Sequence, residues 1–386
     1  ILEYVLSDSL LQVFIIGQDF FKVESIPLDS LFRQQLMAFK EGIILQGQED
    51  LYYRYAYQLF NTLIPFELPK SIKSLIIIPA GELTSFPFEA LLTQPNTSKL
   101  SKANAYLLKK YSISYAYSGR LLYERFNQAE ETSAKKLLAL APVFAQSANN
   151  GLVAALQSKF FRHGTGFRDK SEMISGKSII RSNLTIQPFK DSDTTGIDIS
   201  HTKVKNEPPL RGHIRGNIME DQSIGPLPAS EREVKTIARL FKGKGAVARV
   251  YLHHQAREDQ FKKEVVSSYN YIHLATHGFV NEKYPELSGL LFSQESSNRE
   301  DGILYTGEIY NLRLKADLVT LSACETGLGK LAQGEGVIGL TRALLYAGAK
   351  NVLVSLWKVN DVSTADLMEY FYRELLSGKD KPLPYN

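Results

Sequence analysis

The hydrophobic pattern at the start of the chain predicts a small sheet followed by two helices. Residues 2–6, 11–16 and 20–26 are short runs rich in aliphatic and aromatic side chains, separated by polar turn residues. Runs of this length at close intervals are typical of an antiparallel sheet. Apolar residues then recur with a helical period over residues 30–40 and 49–63.

Further strands are predicted up to residue 142. Residues 74–79 form a continuous apolar run, which is typical of a strand buried on both faces. Residues 112–117 and 136–142 are two more strand candidates, with a helical pattern over residues 119–126 between them. We assign residues 1–145 to one N-terminal part.

Residues 146–226 interrupt this regular pattern. They are rich in Ser, Asn, Asp, Thr and Gly and contain 11 of the lysines and arginines against 8 of the aspartates and glutamates. A long polar stretch without a hydrophobic period is typical of an insertion or a linker. This stretch also carries most of the net charge of +4. Its basic residues are not clustered with interleaved aromatic residues, so the sequence does not predict binding to nucleic acid.

Strands and helices alternate after residue 226, and we assign residues 227–386 to a second part. Ser230 and Glu233 have capping-box spacing and predict a helix that runs to about residue 241. The later elements are strands at residues 246–251, 271–275, 318–323 and 351–356, a further strand candidate at 289–292, and helices at 256–266, 336–346 and 364–376. Alternation of this kind predicts an α/β fold with a mostly parallel sheet covered by helices on both faces.

Two of these strands end on residues that can perform chemistry. The strand at 271–275 leads to His277 and Gly278, and the strand at 318–323 leads to Cys324, the single cysteine of the chain. If the strands are parallel neighbours, the imidazole and the thiol meet at the edge of the sheet where α/β proteins bind ligands. A thiolate is a nucleophile, a histidine can transfer its proton, and the N–H groups of Gly278 and Cys324 can hold an oxyanion. The alternative for each residue is a structural role in the core.

A glycine motif offers a different interpretation. Gly334, Gly336 and Gly339 have the spacing of a dinucleotide-binding loop, and Asp361 follows 22 residues after the last of them. That loop needs its first glycine directly after a strand, whereas here the strand ends about ten residues earlier. Dinucleotide binding therefore stays a minor alternative. No arrangement of acidic or histidine residues predicts a metal site.

The C-terminal motifs resemble those of the CHAT domain, a caspase-like module related to separase and associated with tetratricopeptide repeats. The resemblance rests on the segments 275–278, 317–327, 334–340, 343–349 and 352–361, and on segments 77–83 and 87–91 in the N-terminal part. It implies a three-layer α/β/α caspase-like fold whose N-terminal α/β part is non-catalytic. It also implies that His277 and Cys324 are the catalytic dyad and that Gly278 and Cys324 provide the oxyanion donors.

The same resemblance suggests residues that bind substrate. Glu325 follows the nucleophile as in legumain, and Trp357 with Asp361 lies in a stretch similar to one in separase that helps to form the P1 pocket. Asp361 is a candidate for the floor of a pocket that accepts arginine or lysine. Its alternative is an N-cap of the helix near residue 364, a role that Ser363 could also fill. The alternative for Trp357 is a core residue.

We therefore interpret the chain as a bacterial, cytoplasmic caspase-like cysteine endopeptidase that cleaves a protein or peptide and needs no cofactor. The first residues predict no signal peptide, the chain contains no long apolar run, and Ile1 in place of Met suggests a fragment of a longer protein. Missing tetratricopeptide repeats would bind an activating partner, and neither nucleic acid nor membrane is expected as a partner. The alternative function is a non-enzymatic adaptor or scaffold.

Overall fold

The computed structural model describes residues 1–44, 49–95, 106–127, 135–144, 226–279, 285–293, 300–322, 335–356 and 359–377. Their strands are β1 (Leu2–Leu6), β2 (Leu10–Ile16), β3 (Phe21–Pro27), β4 (Ser74–Ile78), β5 (Ser112–Tyr115), β6 (Lys136–Ala141), β7 (Val247–Leu252), β8 (Tyr271–Ala275), β9 (Gly278–Phe279), β10 (Gly289–Leu291), β11 (Ile303–Tyr305), β12 (Leu318–Ser322) and β13 (Val352–Val354). Their helices are α1 (Phe32–Ile44), α2 (Glu49–Leu63), α3 (Leu107–Lys110), α4 (Gly119–Phe126), α5 (Pro228–Gly243), α6 (Glu258–Lys263), α7 (Thr306–Ile309), α8 (Glu335–Tyr346) and α9 (Asp361–Ser377).

The N-terminal sheet is mixed, and the predicted antiparallel pairing of its first three strands is confirmed. Its strand order is β3-β2-β1-β4-β5. Strands β1, β2 and β3 pair antiparallel as predicted, but β1 also pairs in parallel with β4, and β4 with β5. The continuous apolar run of β4 fits its central position, because other parts of the chain cover both faces of the sheet there.

Helices cover both faces of this N-terminal sheet. Helices α1 and α2 contribute Phe39 and Leu59 to a core that also contains Phe86 and Phe88. The Phe39 and Phe86 rings stack with their centroids 4.8 Å apart. On the opposite face, Leu122 of α4 packs on the second set of alternating side chains of β4.

The second sheet is parallel throughout, with the order β13-β12-β8-β6-β7. Helices α5 and α9 pack on one face, where the Phe241 ring contacts the rings of Tyr271 and Tyr372. Helices α6 and α8 pack on the other face, where Phe261 and Leu340 join the cluster of Ile272. The fold is thus α/β/α with a mostly parallel sheet, as predicted.

Strand β6 lies in this second sheet, although the predicted N-terminal part extends to residue 145. The described residues all belong to one compact unit, which comprises Ile1–Gln146 and Ile224–Asn386. The boundaries of the three predicted regions stay a prediction, and the predicted insertion lies outside the described residues except for its last residue.

Helix α5 begins differently from the prediction. The capping box of Ser230 and Glu233 is wrong, because the helix starts earlier, at Pro228, and Leu227 is its N-cap without a side-chain hydrogen bond. Proline fits the first helical position because no partner is needed there for an N–H group. Ser230 Oγ instead donates to the Leu227 carbonyl at 2.6 Å.

Helix α8 ends as the sequence predicts. Gly348 has a φ of 111°, a left-handed conformation that only glycine adopts without strain. The Ala349 N–H then donates to the Leu344 carbonyl at 3.0 Å, and the Gly348 N–H donates to the Leu345 carbonyl at 3.1 Å. These two bonds form a Schellman motif, which turns the chain back towards β13.

Candidate active site

The edge at the carboxyl ends of the parallel strands brings the predicted site residues together as far as the structure describes them. His277 lies two residues beyond β8 and is 1% exposed. The Phe144 ring packs against its imidazole with the centroids 5.1 Å apart. Phe144 follows β6, the neighbour of β8, so the two rings meet because their strands are adjacent.

The backbone that carries Phe144 is strained. Val143 and Phe144 have φ values of 67° and 47°, in the left-handed region, and both side chains are buried. A β-branched residue such as valine is rarely found there, and each such residue costs about 1–3 kcal/mol. The Val143 carbonyl accepts the Leu227 N–H at 2.8 Å, which ties this turn to the start of α5.

Strands β8 and β12 are direct parallel neighbours. Each residue of β8 pairs with the residue 47 positions later, from Tyr271 with Leu318 to Ala275 with Ser322. The Thr276 N–H also donates to the Ser322 carbonyl at 3.2 Å, one step beyond the strand. Cys324, Glu325 and Trp357 lie outside the described residues, so their predicted roles stay predictions.

Gly278 belongs to the short strand β9, which pairs antiparallel with β10. The Leu291 N–H donates to the His277 carbonyl at 2.9 Å. This bond makes Gly278 and Leu290 a non-hydrogen-bonded pair of the ladder. The pairing with β10 therefore does not use the Gly278 N–H, the predicted oxyanion donor.

Asp361 is the first residue of α9, but it does not cap that helix. Asn360 fills this role, because its Oδ1 accepts the Ser363 N–H at 3.1 Å. The predictions that Asp361 or Ser363 caps this helix were therefore wrong. Asp361 Oδ2 instead accepts the Ala229 N–H at 2.7 Å, at the start of α5. The positive end of a helix stabilises such a carboxylate.

The second oxygen of Asp361 has a different environment. Oδ1 is buried and has no hydrogen-bond partner among the described residues. Burial raises the pKa of the Asp361 carboxyl, the Ala229 N–H lowers this pKa, the charge of Glu233 raises it, and that of His277 lowers it. The carboxylate thus lies within electrostatic reach of the His277 imidazole.

A buried polar network lies beneath this edge. His273 is fully buried, and its Nε2 is 2.7 Å from Glu233 Oε1. This confirms the interpretation of His273 as a core histidine whose hydrogen bonds are satisfied. Glu233 was missed as its partner, since its spacing from Ser230 suggested a helix cap. The unusual combination of a carboxylate on an apolar helix face and a histidine within a buried strand was the available signal.

Comparison with known proteins identifies the family. The CHAT domain profile matches residues 53–383, which is most of the chain. The chain belongs to the CHAT domain family. It is therefore a caspase-like module of a peptidase-related family, and the predicted resemblance is confirmed.

Two curated relatives share parts of this CHAT domain. Mouse tetratricopeptide repeat protein 28 is 38% identical over 76 residues, which cover 20% of this chain and 3% of the mouse protein. Human tetratricopeptide repeat protein 28 is 27% identical over 194 residues, which cover 42% of this chain and 8% of the human protein. The chain thus matches only a small part of the length of either relative. Among its described helices, none has the length and hydrophobicity that crossing a bilayer requires.

One group of carboxylates in this CHAT domain has the geometry of a metal site. Oxygens of Glu258, Glu300 and Glu308 lie within 4.8 Å of one another. The Lys262 ammonium lies 2.6 Å from Glu258, 2.9 Å from Glu300 and 2.6 Å from Glu308. The Lys262 ammonium thus already provides the positive charge that a metal ion would provide between these three carboxylates.

The glycine motif of the CHAT domain lies away from a strand end. Strand β12 ends at Ser322, and α8 begins at Glu335. Gly339 lies within the helix, and a Cβ at this position would meet no atom within 4 Å. A dinucleotide-binding loop has a tight turn directly after the strand, and the placement of α8 does not provide one.

Proposed function

We propose that this CHAT domain is a cysteine endopeptidase in which Cys324 is the nucleophile and His277 transfers the proton. The observation that supports this most strongly is the register of β8 and β12. Its offset of 47 residues equals the separation of His277 and Cys324 in the sequence. If this register continued for two more residues on each strand, His277 would lie beside Cys324.

The proposed reaction has two steps. The Cys324 thiolate attacks the carbonyl carbon of the scissile peptide bond, and the N–H groups of Gly278 and Cys324 hold the oxyanion. The protonated His277 then gives its proton to the leaving amine as the C–N bond breaks. Water, deprotonated by His277, hydrolyses the thioester and regenerates the thiol, so the cycle needs no cofactor.

We propose that the pocket accepts a basic P1 residue and that Asp361 forms its floor. Asp361 Oδ1 is a buried carboxylate oxygen without a hydrogen-bond partner among the described residues. Buried acceptors without partners are costly, and a guanidinium or ammonium group would provide the missing hydrogen bonds. Trp357 and Glu325 would complete the walls of this pocket.

The substrate would be a protein or a peptide. Both curated relatives are tetratricopeptide repeat proteins by name. We propose that such repeats, outside this chain, bind an activating partner of the endopeptidase. The interpretation as a bacterial, cytoplasmic enzyme stays a prediction.

One observation supports the alternative of a non-enzymatic adaptor. His277 is 1% exposed and packs against Phe144, so a peptide could reach the imidazole only after local rearrangement. An adaptor needs no such access. The endopeptidase is the stronger proposal, because in the sequence His277 and Cys324 each follow by two residues the last residue of one of two neighbouring strands.

Labelling with peptidyl electrophiles tests the proposal. A probe with arginine at P1 and a probe with aspartate at P1 would be compared by intact mass on the wild type, on His277→Ala and on His254→Ala. His254 is exposed and serves as a matched control. Because Cys324 is the single cysteine, one thiol adduct identifies its site.

We expect the arginine probe to label the wild type and His254→Ala, and to label His277→Ala much more slowly. If neither probe labels a wild type whose thiol still reacts with iodoacetamide, the endopeptidase proposal is wrong and the adaptor is favoured.

A further inference from the structure

Four buried side chains form a continuous polar chain across the α5 and α9 face of the parallel sheet. Glu233 Oε1 lies 2.7 Å from His273 Nε2, and His273 Nδ1 lies 3.2 Å from the Tyr372 hydroxyl. The Tyr372 hydroxyl in turn lies 2.8 Å from Thr320 Oγ1. All four residues are at most 1% exposed. This network of four side chains therefore connects α5 to β8, β8 to α9, and α9 to β12.

The network lies at the same distance along the sequence from both residues of the proposed dyad. His273 and Thr320 are paired in the register of β8 and β12. His277 follows His273 by four residues, and Cys324 follows Thr320 by four residues. The network thus joins the two strands at the same level, directly below the two ends from which the dyad would project.

Burying polar groups in a network of this kind costs folding free energy, so we expect its geometry to have a role in addition to stability. Glu233 Oε1 contacts His273, but Glu233 Oε2 is buried and has no hydrogen-bond partner among the described residues. A buried ion pair often contributes less to stability than apolar residues of the same volume. Directional hydrogen bonds, in contrast, define the spacing of the elements they join, because their strength falls steeply with misalignment.

The start of α5 extends the same connection to the edge of the sheet. Ala229 lies one turn before Glu233, and its N–H donates to Asp361 at the start of α9. The helices α5 and α9 are therefore joined near their starts by Ala229 and Asp361, and again through Glu233, His273 and Tyr372. An ion pair between Arg232 and Asp366, at 2.6 Å, joins them on the surface as well. A shift of either helix would be transmitted to the ends of β8 and β12.

We propose that Glu233, His273, Tyr372 and Thr320 are positioning residues that set the relative placement of the ends of β8 and β12, and with it the distance between His277 and Cys324. The proposal rests on the proposed function for its catalytic consequence. The placement of His277 itself can be measured independently. A displacement of about 1 Å between reacting groups costs about 100-fold in rate.

The experiment uses Glu233→Gln and Tyr372→Phe, with Glu258→Gln as the matched control. Glu258 is also 1% exposed, but it lies on α6, whose Phe261 packs on the opposite face of the sheet. Three properties would be measured: the labelling rate with the arginine probe, the pH dependence of thiol alkylation by iodoacetamide, and the NMR signals of the His277 imidazole. Urea unfolding would show that each variant is folded. Tyr372→Phe keeps the ring in the core and carries the test if Glu233→Gln does not fold.

We expect both network variants to label about 10- to 100-fold more slowly than Glu258→Gln. The midpoint of alkylation should move towards the ordinary thiol pKa, because a displaced imidazole stabilises the thiolate less. The His277 signals should shift in both network variants and stay unchanged in Glu258→Gln.

The possible failures are distinguishable. If the wild type is not labelled but the His277 signals shift in the network variants alone, the endopeptidase proposal fails and the positioning role stands. If those signals and the labelling rate match those of Glu258→Gln, the network has only a structural role and the positioning proposal is wrong.

Discussion

Replacing Asp361 separates its two suggested roles, the cap of α5 and the floor of a basic pocket. Asp361→Asn keeps an oxygen that can accept the Ala229 N–H but removes the charge, whereas Asp361→Ala removes both. Loss of an N-terminal cap costs about 1 kcal/mol. We therefore expect Asp361→Ala to lower the free energy of unfolding by about 1 kcal/mol.

The effect of Asp361→Asn on stability should be smaller. The amide loses the attraction between the carboxylate and the helix end, which contributes about 0.3–1 kcal/mol. It also avoids the cost of burying the charge, which is the main reason why the pKa of Asp361 is raised. These two effects oppose each other, so we expect a change of less than about 0.5 kcal/mol.

Recognition of the arginine probe should be weakened in both variants, because each of them removes the carboxylate charge of Asp361. A hydrogen bond to a charged group contributes about 1.5–3 kcal/mol, which corresponds to about 10- to 150-fold in the labelling rate. Asp361→Asn should therefore lose selectivity for the arginine probe while it stays as stable as the wild type in urea. Equal labelling of Asp361→Asn and wild type would refute the pocket. Equal destabilisation by Asn and Ala would refute the account of the cap.

Three further predictions concern stability and access. Asn360→Ala should lower the free energy of unfolding by about 1 kcal/mol in urea because it removes the cap of α9, whereas Ser363→Ala should change it by less than about 0.5 kcal/mol; equal effects would contradict the assignment of the cap. Burial raises the pKa of Glu258 to about 7, so its stabilising contribution is complete below about pH 4.5 and is lost as the pH rises through 7. Relative to Glu258→Gln, wild-type stability should thus fall by on the order of 3 kcal/mol between pH 4.5 and 8, and parallel pH profiles would contradict this. Phe144→Leu should cost about 1–2 kcal/mol in urea and accelerate labelling by the arginine probe, because less of the His277 ring is covered; an unchanged rate would show that Phe144 does not limit access.

Much of the secondary structure follows from local patterns in the sequence. The bounds of β8 and of the helices α2 and α4 agree with the predicted ones, because each is a sharply delimited apolar run or a sustained helical period. The order of strands and helices after residue 226 also led correctly to the parallel sheet with helices on both faces. The motifs around His277 and Cys324 were sufficient to predict the family correctly.

Interactions between distant residues were less accessible from the sequence. The parallel pairing of β1 with β4 and the place of β6 in the second sheet depend on which strand edges meet in three dimensions. Asp361 caps a helix that begins more than 130 residues earlier in the chain, although its sequence neighbours suggested a cap of its own helix. Sequence spacing describes only neighbours along the chain, so it cannot identify a partner of this kind.

Glu233 illustrates the physical reason most clearly. Within its own helix it has the spacing of a capping residue, and that local pattern is energetically reasonable. In the folded chain the helix instead presents Glu233 to a buried strand, where His273 lies 2.7 Å away. Local patterns determine which segments become helices and strands, because propensity and hydrophobic period are properties of adjacent residues. The hydrogen bonds of buried polar groups depend on how those elements pack, because burial makes a missing partner costly wherever in the sequence the available partner lies.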